Sequence, residues 1–356
     1  MDSLDIARWR LAALRLVGTP FETAADVVSW LGCVQAQDLA GALTSVALRT
    51  RARSRDEVTT ALAERQIVRS WPMRGTLHFA PAADIGWMTA LTHPRTFRQA
   101  AKRRESLGID DAMIEQAWEL FAAAFAERGP LARPEVLELW EPLAVAEVSG
   151  RGYHLLSVLC EMGRMAQGPV TTTGRFDGCF VALADWVAEP NELPREEALG
   201  RWATMFFTSH GPATLADFTR WTGLTVGDAR AGLAAATGLV RVESGGTECW
   251  MDPGTPDRAT AAADEIDQIL LLPGFDELIL GYADRTATLA KDHEELVVPG
   301  RNGVFKPTII DKARAVGTWS TKAATRTLPA RLETVPFGAR PPAQKRLAAA
   351  FEKLPS

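Results

Sequence analysis

Three times along the chain, segments with helical periodicity are followed by two short β-type segments that enclose a polar turn. The clearest instance spans residues 196–258. There Thr214 and Thr225 are expected to cap two helices, with a tight turn at Thr222–Leu224 between them. A helix, a short turn with glycine and a second helix are typical of a helix-turn-helix, and the strands that follow would form its wing. Such a unit fits DNA binding and also contact with another protein.

The first unit, residues 1–92, is predicted to have the same organisation. Four helices are expected before residue 64, with Thr23 as the cap of the second. The helical periodicity then ends, and the runs at Ile67–Trp71 and Thr76–Phe79 are predicted as the two strands of a hairpin. Helices followed by a small hairpin are the pattern of a winged helix.

A second winged helix is predicted at 129–195, after linker helices at 93–128 that are broken at Gly108. Its recognition-type helix would run from Tyr153 to Cys160. The strands that follow it would enclose a polar wing at Thr171–Arg175.

The last region, residues 264–356, is dominated by short β-type runs separated by Gly and Pro, with a closing helix at Pro342–Leu354. Short strands at this spacing suggest a small barrel or a curled sheet. The sequence therefore predicts an α+β protein in which three tandem winged-helix motifs are followed by a small C-terminal β-barrel-like region. The predicted strands are 269–272, 278–280, 304–305, 308–310, 315–319 and 332–335.

Charge is distributed unevenly. The chain of 356 residues has a formal net charge of −5, but residues 49–104 contain 12 Lys or Arg and four Asp or Glu, a local balance of +8. A basic stretch of this kind is expected of a face that contacts phosphates, although a solvated surface would have the same composition. The candidate DNA-binding residues are Arg49, Arg51, Arg69, Arg74, Arg95, Arg98, Lys102, Arg103 and Arg104.

Metal and membrane signals are weak. The four cysteines are far apart, without a Cys-x-x-Cys pair or a His at ligand spacing, so we expect no metal site. Scattered cysteines without a signal sequence fit the reducing cytoplasm. The apolar runs are shorter than the ~20 residues that span a bilayer, and we expect no membrane partner.

Gln35 and Gln37 are separated only by Ala36 and flanked by apolar residues. In an extended segment their carboxamides point to the same face, whereas on a helix they would diverge. We therefore expect an extended entry that ends near Asp38, with Asp38 as the N-cap of a helix from about Leu39. The alternative is that one glutamine caps the helix and the other faces water.

Several sequence blocks around this pair, in this order along the chain, closely resemble the bacterial AlkZ-like winged-helix DNA glycosylases. That family removes alkylated bases and unhooks interstrand crosslinks. Its catalytic motif is Gln-x-Gln, or Gln-x-Asp in a sister branch, so this chain resembles the Gln-x-Gln branch. Besides Gln35–Gln37, the blocks are Met73–His78, Gly211–Phe218, Leu272–Leu278, Leu280–Arg285, Asn302–Thr308 and Val316–Trp319.

The resemblance implies a monofunctional DNA glycosylase that hydrolyses the N-glycosidic bond of N7-alkylguanine-type purines in double-stranded DNA, as a monomer and without a cofactor. An N7-alkylated purine is already cationic and leaves as a neutral base, so a strong general acid is not required. By the resemblance, Gln37 holds the water, and Gln35 contacts the sugar or the same water. These carboxamides would act by positioning and electrostatics.

Two other functions stay open from the residues alone: a non-catalytic winged-helix DNA-binding or regulatory protein, and a protein-binding scaffold. One further charged cluster lies in the C-terminal region beside apolar segments. It has the composition of a paired structural network and is the second candidate for chemistry. Its members are Asp276, Glu277, Asp284 and Arg285.

Overall fold

The first half of the protein contains ten helices and five strands among the residues described. The computed structural model describes residues 2–171, 177–301, 303–322, 330–338 and 341–356. The helices of the first half are α1 Ser3–Ala13, α2 Ala24–Leu31, α3 Leu39–Ala47, α4 Arg55–Ala63, α5 Ile85–Gln99, α6 Ala101–Ser106, α7 Asp111–Arg128, α8 Arg133–Leu139, α9 Arg151–Glu161 and α10 Leu183–Trp186. The strands are β1 Val34–Gln35, β2 Ile67–Met73, β3 Thr76–Pro81, β4 Met165–Val170 and β5 Gly178–Ala182.

The second half is again mixed, and short helices alternate with two antiparallel sheets. Its helices are α11 Arg195–His210, α12 Leu215–Thr222, α13 Val226–Ala235, α14 Thr255–Ala261, α15 Ala263–Ile266, α16 Glu277–Leu280, α17 Glu294–Val297 and α18 Gln344–Glu352. Its strands are β6 Val240–Ser244, β7 Thr247–Met251, β8 Ile269–Leu272, β9 Thr308–Asp311, β10 Arg314–Lys322 and β11 Arg331–Pro336. Single 3₁₀ turns lie at Glu141–Leu143, Lys291–His293 and Pro299–Arg301.

A single five-stranded sheet joins the first two predicted units. Its strand order is β1-β3-β2-β4-β5, and all neighbouring pairs are antiparallel. The predicted hairpin of the first unit is present as β2 and β3, and its outer edge pairs with β4 through Arg69 and Gln167. The strands predicted for the second unit are present as β4 and β5. Of the wing predicted between them, Thr172–Arg175 lies outside the described residues.

Local capping chemistry accounts for the predicted helix starts. Thr23, Thr214 and Thr225 each accept a hydrogen bond from the backbone N–H three residues later, which satisfies a donor that the helix itself cannot. Gly223 links α12 to α13 in the left-handed conformation (φ +73°), which glycine adopts without strain. The two helices, the turn between them and the hairpin predicted for the third unit are thus present as α12, α13, β6 and β7.

The central helix of the core is α11. Its inward face carries large aromatic side chains that pack between the first unit, the third unit and the C-terminal region, so the three share one continuous apolar core. A second, smaller core lies beneath α7 and α9. The fully buried aromatic residues of α11 are Trp202, Phe206 and Phe207.

One predicted boundary in the first half does not coincide with the end of an element. Helix α5 begins at Ile85 and continues through Pro94, so the boundary placed at residue 92 falls inside a helix. The physical reason is that α5 packs on β2 of the first unit while it leads into the second. The break predicted at Gly108 is present, because α6 ends at Ser106 and α7 begins at Asp111.

The C-terminal sheet is open. Its strand order is β11-β10-β9-β8, and within the described residues no pairing joins the two edges, so the barrel-like closure is not confirmed. Residues 278–280, predicted as a strand, belong to helix α16, and the predicted strand at 304–305 is absent. The Asp276 side chain accepts a hydrogen bond from the N–H of Leu278 and starts a helical turn in an apolar run too short to show a period.

No helix among the described residues combines the length and the apolar character needed to cross a bilayer.

Candidate active site

The Gln-x-Gln segment is extended, as its spacing predicts. Strand β1 pairs with β3, so that Gln35 lies opposite His78, and the N–H of Ala36 donates to the carbonyl of Leu77 at 2.8 Å. Gln35 is 6% exposed, whereas Gln37 is exposed. Asp38 occupies the N-cap position of α3 with extended backbone angles, but its side chain makes no capping hydrogen bond.

Backbone donors orient both carboxamides. Gln35 Oε1 accepts from the N–H of Gln37 at 3.1 Å, and Gln37 Oε1 accepts from the N–H of Leu77 at 3.3 Å. Because these donors require an oxygen, the two NH₂ groups point away from them, and neither has a protein partner in the described parts of the chain. Each oxygen keeps a second lone pair. Gln37 therefore offers one acceptor site and two donors to a bound molecule.

An open groove of about 470 Å³ lies in front of Gln37. One wall comes from the segment after β1 and from Leu77, and the other comes from the second unit. The groove is formed only when the two units share their sheet. Its lining residues are Gln37, Asp38, Leu39, Ala40, Arg69, Leu77, Arg133, Tyr153 and Asp177.

Sequence reasoning did not identify the three groove residues that come from the second unit. Tyr153, on α9, is 43% exposed and its ring meets Trp71 edge-on at 6.1 Å. Arg133 at the start of α8 and Asp177 before β5 form an ion pair at 3.1 Å. These positions lie about a hundred residues after the glutamines, and no local sequence signal links them to Gln37.

Behind Gln35 lies a buried polar group from the third unit and the C-terminal region. Glu277 is fully buried and accepts from the indole N–H of Trp221 at 2.9 Å. Its second carboxylate oxygen lies 3.4 Å from the backbone nitrogen of Gln35, a long contact. His210 lies 3.3 Å from the Glu277 carboxylate. The segment before Gln37 thus contacts Glu277 of the C-terminal region, which is itself bonded to Trp221 of the third unit.

The prediction that Arg49 binds DNA is wrong, because Arg49 is 0% exposed. Its guanidinium donates to both carboxylate oxygens of Asp276, at 2.9 and 3.1 Å, while Ser45 donates to the same carboxylate. Burial works to raise the pKa of Asp276, but the adjacent Arg49 charge and these hydrogen bonds hold that pKa below its usual value. The Asp276 part of the C-terminal cluster therefore lies in a closed ion pair away from the groove.

The remaining candidate arginines of the first unit also have intramolecular partners. Arg51 pairs with Glu22 at the surface, and Arg69 is only 5% exposed. Arg74, at the turn between β2 and β3, lies 3.3 Å from His78 Nε2 and packs against Gly223. Burial lowers the pKa of Arg74, although Glu277 works in the opposite direction.

His78, opposite Gln35, is held neutral. Burial, and then the adjacent Arg74 charge, lower the pKa of His78 to about 3. Its Nδ1–H donates to the carbonyl of Thr76, so Nε2 is free to accept from Arg74. The neutral ring of His78 therefore makes hydrogen bonds within the β2–β3 hairpin, and it does not exchange protons with the groove near pH 7.

Four cations of the basic stretch are exposed and form no salt bridge in the described structure, although, against the effect of burial, the Arg95 charge helps to lower the pKa of Asp228: Arg95, Arg98, Lys102 and Arg103. They lie on α5 and α6, and Arg103 reaches to 3.1 Å from the Cβ position of Gly150, where α9 begins. Tyr153 lies on the first turn of the same helix. Arg103 therefore lies beside the start of the helix that carries Tyr153 to the groove. Arg104 is half-buried and donates to the carbonyl of Phe97.

Glu161, the last residue of α9, makes stability depend on pH. Burial raises its pKa to about 7, although Thr96 and Arg104 work to lower it. Because the folded state binds this proton more tightly than the unfolded state, stability is expected to fall between about pH 4.5 and pH 7. Glu161→Gln should then be more stable than wild type by about 1–2 kcal/mol at pH 8 and about equal at pH 4.5. Urea unfolding at the two pH values measures this, with the exposed Glu138→Gln as a control. Equal differences at both pH values would contradict the assignment.

In the described structure no group of three His, Cys, Asp or Glu side chains could hold a metal ion. The polar groups that line the groove are one carboxamide, two guanidiniums, a phenol and two carboxylates.

Comparison with known proteins places this chain in a family. The family model described as DNA glycosylase AlkZ-like matches residues 28–355. The "Interstrand DNA cross-link repair glycosylase" of Streptomyces sahachiroi is 25% identical over 336 residues, which cover 88% of this chain and 86% of that protein. The solved structure of Streptomyces sahachiroi DNA glycosylase AlkZ superposes with a TM-score of 0.78 at 23% identity and covers 98% of this chain and 95% of that one. The order of the motifs, the fold and the family model agree, and the chain belongs to the AlkZ-like DNA glycosylase family.

Proposed function

We propose that this protein is a monofunctional DNA glycosylase that hydrolyses the N-glycosidic bond of alkylated purines of the N7-alkylguanine type. We propose Gln35 and Gln37 as its catalytic residues and double-stranded DNA as its partner. The observation that carries the proposal is the exposed carboxamide of Gln37 in an open groove, where the N–H of Leu77 orients it.

The charge of the leaving base determines which kinds of catalysis the site must provide. An N7-alkylated guanine already carries a positive charge, so the base departs neutral and no general acid is needed. As the bond breaks, positive charge moves to the deoxyribose, and a water must attack from the opposite face. The site therefore has to hold that water and stabilise a cation, which are tasks of positioning and electrostatics.

Gln37 has the acceptor and donor atoms for this role. The free lone pair of its Oε1 can accept a hydrogen bond from the attacking water, and its dipole stabilises the positive sugar. An amide is not a Brønsted base near pH 7, so the water's proton goes to solvent. This limits the enzyme to bases that leave without further help. Gln35 is buried and acts beside Gln37, where its carboxamide oxygen fixes the Gln37 backbone at 3.1 Å.

An open groove suits large lesions. An enzyme that flips its target needs a closed pocket around the base. The groove before Gln37 is open on one side and has walls from two units, so a base that stays in the duplex and carries a bulky substituent can be approached without a tight enclosure. We propose on this ground that the protein also unhooks interstrand crosslinks between alkylated purines.

We further propose that three winged-helix units, at 1–92, 129–195 and 196–258, form the DNA-facing side, with the β-rich region at 264–356 behind them, and that the protein acts as a monomer. The helix-turn-helix of α12 and α13 with its β6–β7 hairpin supports the third unit. The hairpins β2–β3 and β4–β5 support the first two.

Reversing the charge of Arg98, Lys102 and Arg103 to Glu is expected to weaken binding to all DNA sequences alike. Phosphate neutralisation releases counterions, so three lost contacts should make the slope of log K against log salt shallower by about 2.7. Fluorescence anisotropy on two unrelated duplexes at several salt concentrations measures both effects. The matched control reverses three exposed cations elsewhere, Arg128, Lys345 and Lys353. Unchanged affinity in the first triple variant would mean that the basic stretch is only a solvated surface.

The proposed activity is tested by release of 7-methylguanine from a methylated duplex and by unhooking of a crosslinked duplex. Free base is detected by liquid chromatography, and the abasic product by alkaline cleavage. Chelator should leave the rate unchanged, and borohydride should trap no covalent intermediate, because the Gln-x-Gln segment offers no amine nucleophile. Tight DNA binding without release of base from either substrate would overturn the proposal and favour a non-catalytic DNA-binding protein.

A further inference from the structure

Arg69 lies directly behind the Gln-x-Gln segment. It is on β2, is 5% exposed, and its Nε donates to the carbonyl of Ala36 at 2.9 Å. Ala36 is the residue between the two glutamines, and its own N–H is bonded to Leu77. The peptide group that separates the two glutamines is therefore held on one side by β3 and on the other by a single guanidinium.

The other end of this guanidinium belongs to the second unit. One terminal nitrogen of Arg69 donates to Gln167 Oε1 at 2.7 Å and to Asp177 Oδ1 at 2.9 Å. Gln167 is fully buried, and it packs so closely on Gly178 that a Cβ there would lie 2.7 Å from its Oε1. Asp177 is fixed by the N–H of Gly178 and by Arg133. Packing and hydrogen bonds within the second unit thus hold the partners of Arg69 in place.

Holding a charge here has an energetic cost that a neutral side chain would avoid. Burial lowers the pKa of Arg69, and Asp177 offsets part of that effect. Buried ion pairs are seldom more stable than apolar replacements of the same volume. Only a planar guanidinium, however, can donate in three fixed directions to Ala36, Gln167 and Asp177 together. Geometry rather than stability accounts for an arginine at this position.

We propose that Arg69 is a positioning residue for the Gln-x-Gln segment, and that Asp177 anchors it, so that the second unit sets how far Gln37 reaches into the groove. The inference rests on the proposed function, since it assigns Arg69 a role in that reaction. It also replaces the sequence-based assignment of Arg69 as a DNA contact, because its donors face protein acceptors.

Arg69→Lys tests the role. A lysine keeps the charge and can bond to Asp177 or Ala36, but it cannot hold the three acceptors at once. A displacement of a catalytic group by about 1 Å can lower a rate by about a hundredfold, so we expect the single-turnover excision rate to fall about tenfold to a hundredfold. Half-saturating DNA concentration and melting temperature should change little. Arg164→Lys is the matched control, because Arg164 forms a comparable two-bonded ion pair with Glu115 outside the groove.

Two further measurements separate positioning from a general structural effect. In a Gln37→Ala background, Arg69→Lys should cause no additional loss of rate, because there is no carboxamide left to position. In the free protein, hydrogen exchange of the amides of residues 34–38 should become faster in Arg69→Lys while exchange in α11 stays unchanged. If Arg69→Lys does not fold, Asp177→Asn takes its place in both measurements. It should likewise cause no additional loss of rate in the Gln37→Ala background and make hydrogen exchange of residues 34–38 faster.

Wild-type exchange at residues 34–38 together with a wild-type rate in Arg69→Lys would overturn the inference, and so would fully additive losses with Gln37→Ala. If the wild-type protein releases no base, the proposed function fails, and the exchange measurement alone then decides whether Arg69 fixes the segment.

Discussion

Replacing Gln37 with alanine is expected to lower the rate of 7-methylguanine excision by roughly two orders of magnitude, the cost of removing one preorganised polar contact from a transition state. The effect should fall on the chemical step, because the exposed cations that we assign to DNA binding lie on α5 and α6. Single-turnover excision from a duplex with one 7-methylguanine measures the rate. Anisotropy and thermal unfolding should give near wild-type affinity and stability.

Three variants sharpen this test. Gln35→Ala should lose somewhat less, because Gln35 acts beside Gln37 and through its backbone N–H. Gln37→Glu should keep or alter activity, since a carboxylate can activate water as well as hold it. Gln66→Ala is the control, because Gln66 is an exposed glutamine of the same unit whose side chain bonds to Glu64, away from the groove lining. A Gln35→Ala, Gln37→Ala double variant as fast as wild type would place the chemistry elsewhere.

Replacing Asp276 with alanine is expected to destabilise the protein by about 3–5 kcal/mol, because it leaves the buried charge of Arg49 without a partner. Urea unfolding followed by circular dichroism measures the loss. The same change tests whether Asp276 takes part in chemistry. A closed ion pair predicts lower stability with a normal excision rate per folded molecule. A slow but fully stable variant would instead make Asp276 a catalytic residue.

A second substitution separates the cost of the unpaired Arg49 charge from the loss of the ion pair itself. Adding Arg49→Met to Asp276→Ala removes the unpaired charge, so the double variant should recover much of the stability that the single variant lost. The surface pair of Arg51 and Glu22 provides the contrast. Glu22→Ala should change stability little, because both side chains are exposed and water replaces the partner.

The features predicted correctly from the sequence are those with short-range causes. A threonine followed by a carboxylate at the third position, as at Thr214 and Thr225, specifies a helix start within four residues. The short β-type runs that form β2 and β3, and the extended Gln-x-Gln segment, are equally local. None of these requires knowledge of what the segment packs against.

The predictions that failed depended on distant partners. Arg49 has the same local sequence character as the exposed arginines, and only Asp276, 227 residues away, makes it a buried ion pair. Residues 278–280 are too short for a period to distinguish strand from helix. The far wall of the groove, with Arg133, Tyr153 and Asp177, comes from a unit whose docking onto the first is invisible in the local sequence.

The shared sheet has a consequence for how the chain folds during synthesis. Strand β2 finds its outer neighbour only when Gln167 has been made, 98 residues after Arg69. At ribosomal speed this interval lasts roughly 5–20 s. During that time the edge of β2 exposes unpaired backbone groups that invite pairing with other chains. A nascent chain that stalls before β4, or a fragment that ends at residue 128, is therefore prone to aggregate. The first unit therefore depends on β4 of the second unit to cover one of its strand edges.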